Sequence, residues 1–259
     1  MNSEINKDFA LLYGIMLGDG CLSLIYGRQK TVTITGSSAD DGPFFNEVIK
    51  PALKNIRERD TAYRIRKDCK AIEFNFKDRQ FFDLMAGLGF PVGKKGNKLF
   101  IPDVFYERHL VSFVIAGFFA TDGSLVITKN NNKFYPRVEA NEIAKTLIKE
   151  INDYLNSLGI RCNLYHACRK ASFNSRFSDQ DRLQINGRLQ TKLFNKLIGF
   201  VNPKHLAKFL SIMEYLEEYE SRTKGLPESR MRQIYEEMNE IFIVSKMAVR
   251  RIELPTSCL

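Results

Sequence analysis

No stretch of this sequence reaches the ~18 uninterrupted apolar residues that a membrane span requires. Met1–Asp8 is too polar and acidic for a secretory signal. The chain is therefore expected outside membranes and unsecreted, in the cytoplasm or nucleoid, or in an organellar matrix if organelle-encoded. Cysteine is scarce and unpaired in pattern: the five (Cys21, Cys69, Cys162, Cys168, Cys258) are odd in number and irregularly spaced. That excludes a disulfide framework and fits a reducing compartment. Cys162, His166 and Cys168 lie close together but lack the Cys-x-x-Cys grammar of structural zinc, so they read as strand residues with buried thiols. With 44% hydrophobic and 27% charged residues, a disordered or collagen-like chain is also excluded, and 259 residues suffice for one or two domains with a sizeable core.

What is abundant is positive charge, and it is unevenly placed. From Val201 onward 9 basic residues balance 9 acidic ones, so the first 200 residues hold the whole net charge of +9. A basic body with a neutral tail points to a polyanionic partner, above all nucleic acid.

The basic body contains an internal repeat. Leu12–Gly20, LYGIMLGDG, matches Ile115–Gly123, IAGFFATDG. Both are apolar helical runs with glycine at the third position, a small residue at the seventh, and Asp-Gly at the end. The elements that follow run in step. After the first copy come strands over Leu22–Tyr26 and Thr31–Thr35, a helix over Phe44–Arg59, strands over Ala62–Lys67 and Ala71–Lys77, and a helix over Gln80–Leu88. After the second come Leu125–Lys129, Phe134–Asn141, a helix over Ile143–Leu158, then Ile160–Ala167, Arg182–Asn186, and a helix over Leu189–Ile198. Each half reads αββαββα. The expected division is 1–97, 98–200 and a helical extension over 201–259, with Gly93–Asn97 (GKKGN) as the joint.

Period-two alternation gives each strand an apolar face and a polar one. In the first half the residues placed on or beside the polar face are Ser23, Tyr26, Arg28, Lys30, Thr31, Thr33, Thr35, Arg64, Arg66, Glu73, Asn75 and Lys77. In the second they are Thr128, Lys133, Tyr135, Arg137, Glu139, Asn141, Arg161, Asn163, Tyr165, Arg182, Gln184 and Asn186. Any antiparallel sheet has a solvated side, but recurrent Arg, Asn, Gln, Thr and Tyr is the set that pairs with base edges and phosphates. Lys30, Arg64 and Lys133 are expected at phosphates. Arg66, Asn75, Arg137, Glu139, Gln184 and Asn186 are expected at base edges.

The two Asp-Gly ends carry the chemistry. A glycine C-cap explains Gly20 and Gly123, but it does not explain a carboxylate at the helix C-terminus, where the macrodipole is already negative. Repetition of that disfavoured arrangement points to a cation. Gly14 with Gly18, and Gly117 with Thr121, let the two helices approach closely and bring Asp19 beside Asp122. Two carboxylates among main-chain carbonyls and water form a hard-oxygen site suited to Mg²⁺.

These motifs, their spacing and the αββαββα order resemble the LAGLIDADG homing endonucleases in their single-chain, two-repeat form, over about residues 8–200. The resemblance implies an α+β fold of two pseudo-twofold-related repeats. Each antiparallel four-stranded sheet saddles double-stranded DNA, and the motif helices form the interface. It implies that Asp19 and Asp122, with the carbonyls of Gly18 and Thr121, bind Mg²⁺, for which Mn²⁺ substitutes and Ca²⁺ binds without supporting cleavage. The activity implied is a double-strand break in a long asymmetric target by a monomer, in the service of intron mobility. Lys98 and Lys204 are the candidates for lysines that neutralise phosphate charge. Where the family often has Gln or Lys at the end of the second strand, this chain has Gly36 or Ser37, and Asn141 or Glu142.

In the extension, helices are expected over Leu206–Glu220, Glu228–Phe242 and Ser245–Ile252, packed on the second repeat because their net charge is zero. Met-Asn at the start and Cys-Leu at the end lead to the expectation of a free-standing protein rather than an intein. Two rival classes share the scaffold: an intron RNA maturase and a non-catalytic DNA-binding regulator. Retention of both aspartates favours cleavage over either.

Overall fold

The computed structural model describes residues 5–130, 133–170 and 177–238. Its centre is dictated by two helices without a polar side. In α1 (Lys7–Asp19) all residues from Phe9 to Leu17 except Leu11 are buried, and in α6 (Val111–Thr121) all from Val114 to Ala120 are. A helix apolar all round is stable only inside the protein. The start of α1 is fixed by Asn6, whose side chain accepts the Phe9 N–H at 3.0 Å. The two helices cross where neither has a side chain. A Cβ added to Gly14 would lie 2.8 Å from the Val114 carbonyl carbon and 2.9 Å from the Phe118 nitrogen, and one on Gly117 would lie 2.8 Å from the Ile15 nitrogen. This is backbone-to-backbone packing.

A four-stranded antiparallel sheet follows each motif helix. The first contains β1 (Gly20–Ile25), β2 (Gln29–Ser37), β3 (Tyr63–Arg66) and β4 (Ala71–Phe76), in the order β1-β2-β4-β3. The second contains β5 (Gly123–Asn130), β6 (Lys133–Glu142), β7 (Cys162–Lys170) and β8 (Phe177–Asn186), in the matching order β5-β6-β8-β7. Val32, Ile34, Phe74 and Phe76 of one sheet, and Val138, Leu183 and Ile185 of the other, are buried in a single core with α1 and α6. Outer helices close each repeat: α4 (Arg79–Gly87) on the first, α7 (Lys145–Ser157) and α8 (Arg188–Leu197) on the second. The α+β class, the two repeats and the succession of helices and strands expected from the sequence are all present; the order of strands within each sheet comes from the structure.

Several local features differ from expectation. The helix expected over Phe44–Arg59 is broken into α2 (Gly42–Phe44), a π turn (Phe45–Ile49) and α3 (Lys50–Arg57). Pro51 has no N–H to donate within the helix, and the widened turn, with Lys50 N–H on the Phe45 carbonyl, accommodates it. A short α5 (Asp103–Glu107) precedes the second motif helix after Pro102. β8 begins at Phe177, five residues before its apolar alternation does. Finally, Gly20 is not a left-handed cap: with φ −94° and ψ 159° it runs straight from helix into strand. Glycine is needed at Gly20 and Gly123 for space, because a Cβ on Gly123 would lie 2.7 Å from the Phe119 ring.

The extension opens with α9 (Pro203–Thr223), three residues earlier than expected, because Asn202 caps it and Pro203 suits a first helical turn. It packs on the second repeat through Phe134 with Tyr215 and Tyr219, and through Arg188 with Glu217 (2.6 Å) and Glu220. A further helix spans 228–238, within the expected Glu228–Phe242. Residues 239–242 of that expectation, the whole of Ser245–Ile252, Cys258 and the Cys168 side chain lie outside the described residues.

Gly14→Ala and Gly117→Ala each improve helix propensity by about 0.5–1 kcal/mol, yet each forces a methyl into backbone. The expected net is a loss of about 2 kcal/mol or more in urea denaturation. Gly87→Ala, where nothing lies within 4 Å of the added methyl, is the control and is expected to be neutral or stabilising.

Candidate active site and nucleic-acid interface

Because the helices meet at Gly14 and Gly117, their C-terminal ends finish side by side. The Asp122 carboxylate lies 3.0 Å from where a Cβ on Gly18 would be, so it rests against the last turn of α1. Burial first, then the Asp19 charge, pushes Asp122 up to about 7, against a pull downward from Lys95. Asp19 is crowded from within by the helix ends, while its outer side keeps contact with solvent. Desolvation and then Asp41 push it up to about 6, with Lys95 and Lys204 pulling the other way. Two carboxylates held together at two negative helix ends resist ionisation, and a cation offsets that cost.

Each motif aspartate has a second carboxylate behind it, and the two are supplied differently. Gly20 pairs with Ile34, and Gly123 pairs with Ala140, so Gly36 and Glu142 occupy equivalent places two residues on. Glu142 is buried and accepts the N–H groups of Ile143 (2.7 Å) and Ala144 (2.9 Å). In the first half Gly36 has no side chain. Asp41, from the turn beyond, lies 2.9 Å from where its Cβ would be and accepts the Ser37 N–H at 2.7 Å. Of the sequence alternatives at the strand ends, the register therefore picks Gly36 and Glu142.

The lysines fall otherwise than the sequence suggests. Lys98 is exposed in the turn of the joint, its N–H on the Lys95 carbonyl, and does not approach the aspartates. Lys95, from the same joint, does: its ammonium donates to the carbonyls of Leu17 (2.8 Å), Met16 (3.4 Å) and Gly18. Burial pulls its pKa down, opposed by Asp122 and Asp19. Lys204 comes across from α9 to Asp41 at 2.6 Å and Asp40 at 3.4 Å. Burial works against its charge, but the Asp41 bond and both acids outweigh that and raise its pKa. Asn202 donates to the Ala120 carbonyl at 2.9 Å, so the extension is tied to the end of α6 and, through Lys204, to the turn that carries Asp41. Nothing in the sequence signals Lys95, Asp41 or Asn202, because each arrives from a turn or joint without periodicity.

The donor set fits a hard divalent ion in one respect and limits it in another. Two carboxylates and the helix-end carbonyls of Gly18 and Thr121 are the oxygen ligands such an ion takes. Among the described residues no three His, Cys, Asp or Glu side chains converge, so water or phosphate oxygens must complete the shell. Cys162 is buried, and His166 lies between Asp179 (3.1 Å) and Asp181 (3.0 Å) rather than beside it.

Strand register decides which predicted interface residues share a face. Ser23 opposes Thr31, Thr33 opposes Asn75, Thr35 opposes Glu73, and Arg64 opposes Glu73, so these residues line one side of the first sheet. In the second, Thr128 opposes Tyr135, Arg137 opposes Asn186, Gln184 opposes both Glu139 and Asn163, and Arg182 opposes both Asn141 and Tyr165. Arg66 lies on the same side of its sheet, beside Asp68 at 2.8 Å. Tyr26 and Arg28 stand in the exposed β1–β2 turn, Lys77 is exposed just past β4, and Arg161 is exposed just before β7. Lys133 is in β6 by backbone, its side chain outside the described residues.

Four residues of the expected face are placed elsewhere or covered; one is Gln184, expected at a base edge, which is 7% exposed and donates its amide N–H to Glu139 at 3.3 Å. Lys30 is on the helix side, paired with Asp83 of α4 and over the Phe82 ring at 5.6 Å, because its parity is opposite to that of Thr31. Thr31 is 1% exposed. Glu73 is 4% exposed beneath Arg64 (3.1 Å) and Asn75 (3.0 Å). Polar side chains of the faces pair across strands: Arg137 with Asn186 (2.7 Å) and Asn75 with Thr33 (3.2 Å) in the open, and Arg182 with Asn141 (2.9 Å) half-buried.

Residues 111–199, the second repeat, match the family model of a LAGLIDADG-like domain. No curated protein sequence matches the chain. Among solved structures, the LAGLIDADG homing endonuclease I-LtrWI bound to target DNA superposes with TM-score 0.56 at 10% identity, covering 89% of this chain and 97% of that one. I-GzeII with its DNA target gives 0.55 at 11% identity, covering 92% and 97%. I-DmoI with DNA and Ca gives 0.53 at 17% identity, covering 79% and 97%. Residues 111–199 are thus LAGLIDADG-like in sequence, and the chain shares the fold of these structures.

The raised carboxylate values set the sign of a pH effect in metal-free protein. A raised folded-state pKa gives stability that is complete below the unfolded value, about 4, and is lost as pH rises through about 7 for Asp122. Asp122→Asn removes that loss. In EDTA the variant is expected to melt above wild type at pH 8, by on the order of 1 kcal/mol or about 2–4 °C after screening through the open side. The difference should shrink towards pH 4.5. An equal difference at both pH values would mean that the carboxylate is not desolvated.

Proposed function

We propose that this two-repeat LAGLIDADG chain is a homing-type endonuclease. It acts as a monomer, holds a long asymmetric DNA duplex across its two polar sheet faces and cleaves one phosphodiester in each strand at the paired aspartates. The observation that carries the reading is the meeting of Asp19 and Asp122 at two helix ends locked in backbone contact, with a polar sheet face extending from each. A regulator that only binds has no need of two carboxylates crowded at helix ends, where their charge costs stability.

The chain's own residues divide the work. The residues of the sheet faces fix the duplex and its register, phosphate contacts giving affinity and base edges giving selection. Asp19 and Asp122, with the carbonyls of Gly18 and Thr121, hold Mg²⁺. When bound there, a divalent ion would supply a nucleophilic water and stabilisation of charge on the leaving 3′ oxygen. Asp41 and Glu142 stand behind the two aspartates, and Lys204, through Asp41, sets the charge balance on the Asp19 side. Two unequal repeats suit a target without twofold symmetry.

Asp19→Asn and Asp122→Asn are each expected to abolish Mg²⁺-dependent double-strand cleavage of a target-bearing plasmid while preserving DNA binding in a gel-shift assay. Wild-type cleavage by either variant would demote that aspartate to a helix-end residue. Tight binding to intron RNA, with no DNA cut in Mg²⁺ or Mn²⁺, would move the chain to the maturase class.

Arg137→Ala is expected to relax one base position of the target. A bidentate contact discriminates by about 1–3 kcal/mol, so the loss should be roughly ten- to hundredfold in selectivity there. Cleavage profiles over all single-base variants read this directly. A uniform drop with no position relaxed would place Arg137 at a phosphate.

A further inference from the structure

The joint between the repeats returns a cation to the centre of the molecule. Gly93 and Gly96, at φ 87° and 56°, flank Lys94 and Lys95, and the Gly93 N–H on the Leu22 carbonyl (2.7 Å) holds the loop against β1. From there the Lys95 ammonium meets three successive carbonyls at the end of α1: Met16, Leu17 and Gly18. A helix leaves its last four carbonyls without partners, and they bear its partial negative charge. An ammonium has three donors, and here each has an oxygen.

The second half answers the same need without charge. Leu17 stands two residues before Asp19 as Ala120 stands two before Asp122. At Ala120 the partner is the amide of Asn202, 1% exposed. Capping a helix end therefore does not require a lysine in this fold. The charge at α1 answers to something else: the Gly18 carbonyl it holds adjoins Asp19, and the Asp122 carboxylate rests against Gly18, 3.0 Å from where its Cβ would be.

We propose that the carbonyls of Met16, Leu17 and Gly18 form a cation site that the chain fills with its own Lys95, which serves as counter-ion to Asp19 and Asp122 until a divalent ion displaces it from the Gly18 carbonyl. The displacement rests on the metal reading proposed above; the counter-ion role does not. A divalent ion and an ammonium on one carbonyl oxygen repel strongly at low dielectric, so the two occupancies exclude each other. The four-carbon stem of lysine and the glycines on either side give the ammonium a way out.

The test uses thermal melts at pH 8 without DNA, on wild type, K95M, D19N/D122N and the triple variant, first in EDTA and then in millimolar Ca²⁺. In EDTA, K95M is expected to lower Tm by about 2–4 °C, and by less than half of that in the D19N/D122N background. K95Q, which keeps donors but not charge, should show the same coupling. Equal losses in both backgrounds would make Lys95 a helix cap only and overturn the counter-ion role. Ca²⁺ is expected to raise Tm more in K95M than in wild type. A rise no larger in K95M, or none in either protein, would overturn the displacement. Cleavage is not read, so an inactive chain would fail the proposed function without deciding this point.

Discussion

The structure depends on one contact: the backbones of α1 and α6 touching at Gly14 and Gly117. Hydrophobic burial alone does not require it, since two leucine-lined helices would bury apolar area at a larger separation. What the close approach does is bring two helix C-termini, each with partial negative charge, into register beside one another. Adding an aspartate to each end compounds the repulsion. The raised values of Asp19 and Asp122 follow from that placement, as does the convergence of Lys95 and Lys204 from distant parts of the chain. Much of the polar architecture at the centre answers a problem that the helix crossing creates.

The answer differs between the halves. Gly36 leaves room for Asp41, which Lys204 reaches from the extension, while Glu142 fills the equivalent space from the strand itself and is held by two main-chain N–H groups. Lys95 caps one helix and Asn202 the other. The pseudo-twofold thus relates backbones more faithfully than charges, and the cations gather on the Asp19 side. The extension is part of this arrangement: Asn202 and Lys204 at its start bind the second motif and the first repeat respectively, so it ties the two repeats together.

How much of this could be read from the sequence follows from what each feature is made of. The repeat, the succession of its elements and the approach of Asp19 to Asp122 are legible because apolar period, Asp-Gly ends and small residues at i and i+4 are local signals. Face assignments for Thr33, Asn75, Arg137 and Gln184 were legible because side-chain period in a strand is two. Lys30 was misplaced by one step of the same rule, since it neighbours Thr31 and so points the other way. Lys95 was passed over for Lys98, three residues on, because a glycine-flanked joint has no period from which to infer direction. Asp41 was invisible for a different reason: its role exists only because Gly36, a missing side chain, leaves a space.

The same physics sorts the proposed reading surface. Cross-strand hydrogen bonds such as the exposed Arg137 with Asn186, and the part-buried Arg182 with Asn141, contribute about 0.5–1.5 kcal/mol each in free protein. A bidentate base contact is worth about 1–3 kcal/mol, so exchanging one for the other on DNA is favourable. Until then the pairs hold Arg rotamers near the geometry they need, which lowers the entropy cost of binding. Glu73 is the opposite case. It is almost wholly covered by Arg64 and Asn75, and separating it would strand a buried carboxylate, which costs several kcal/mol. Glu73 therefore stays with its partners and fixes Arg64 and Asn75 in place. On the proposed reading the first sheet would use Thr33, Thr35 and Asn75, short polar groups suited to water-mediated contact, with Arg66 as the arginine at its edge, engaged by Asp68, while the second would use arginines in its centre. Selectivity should accordingly be sharper in the half of the target that lies on the second repeat.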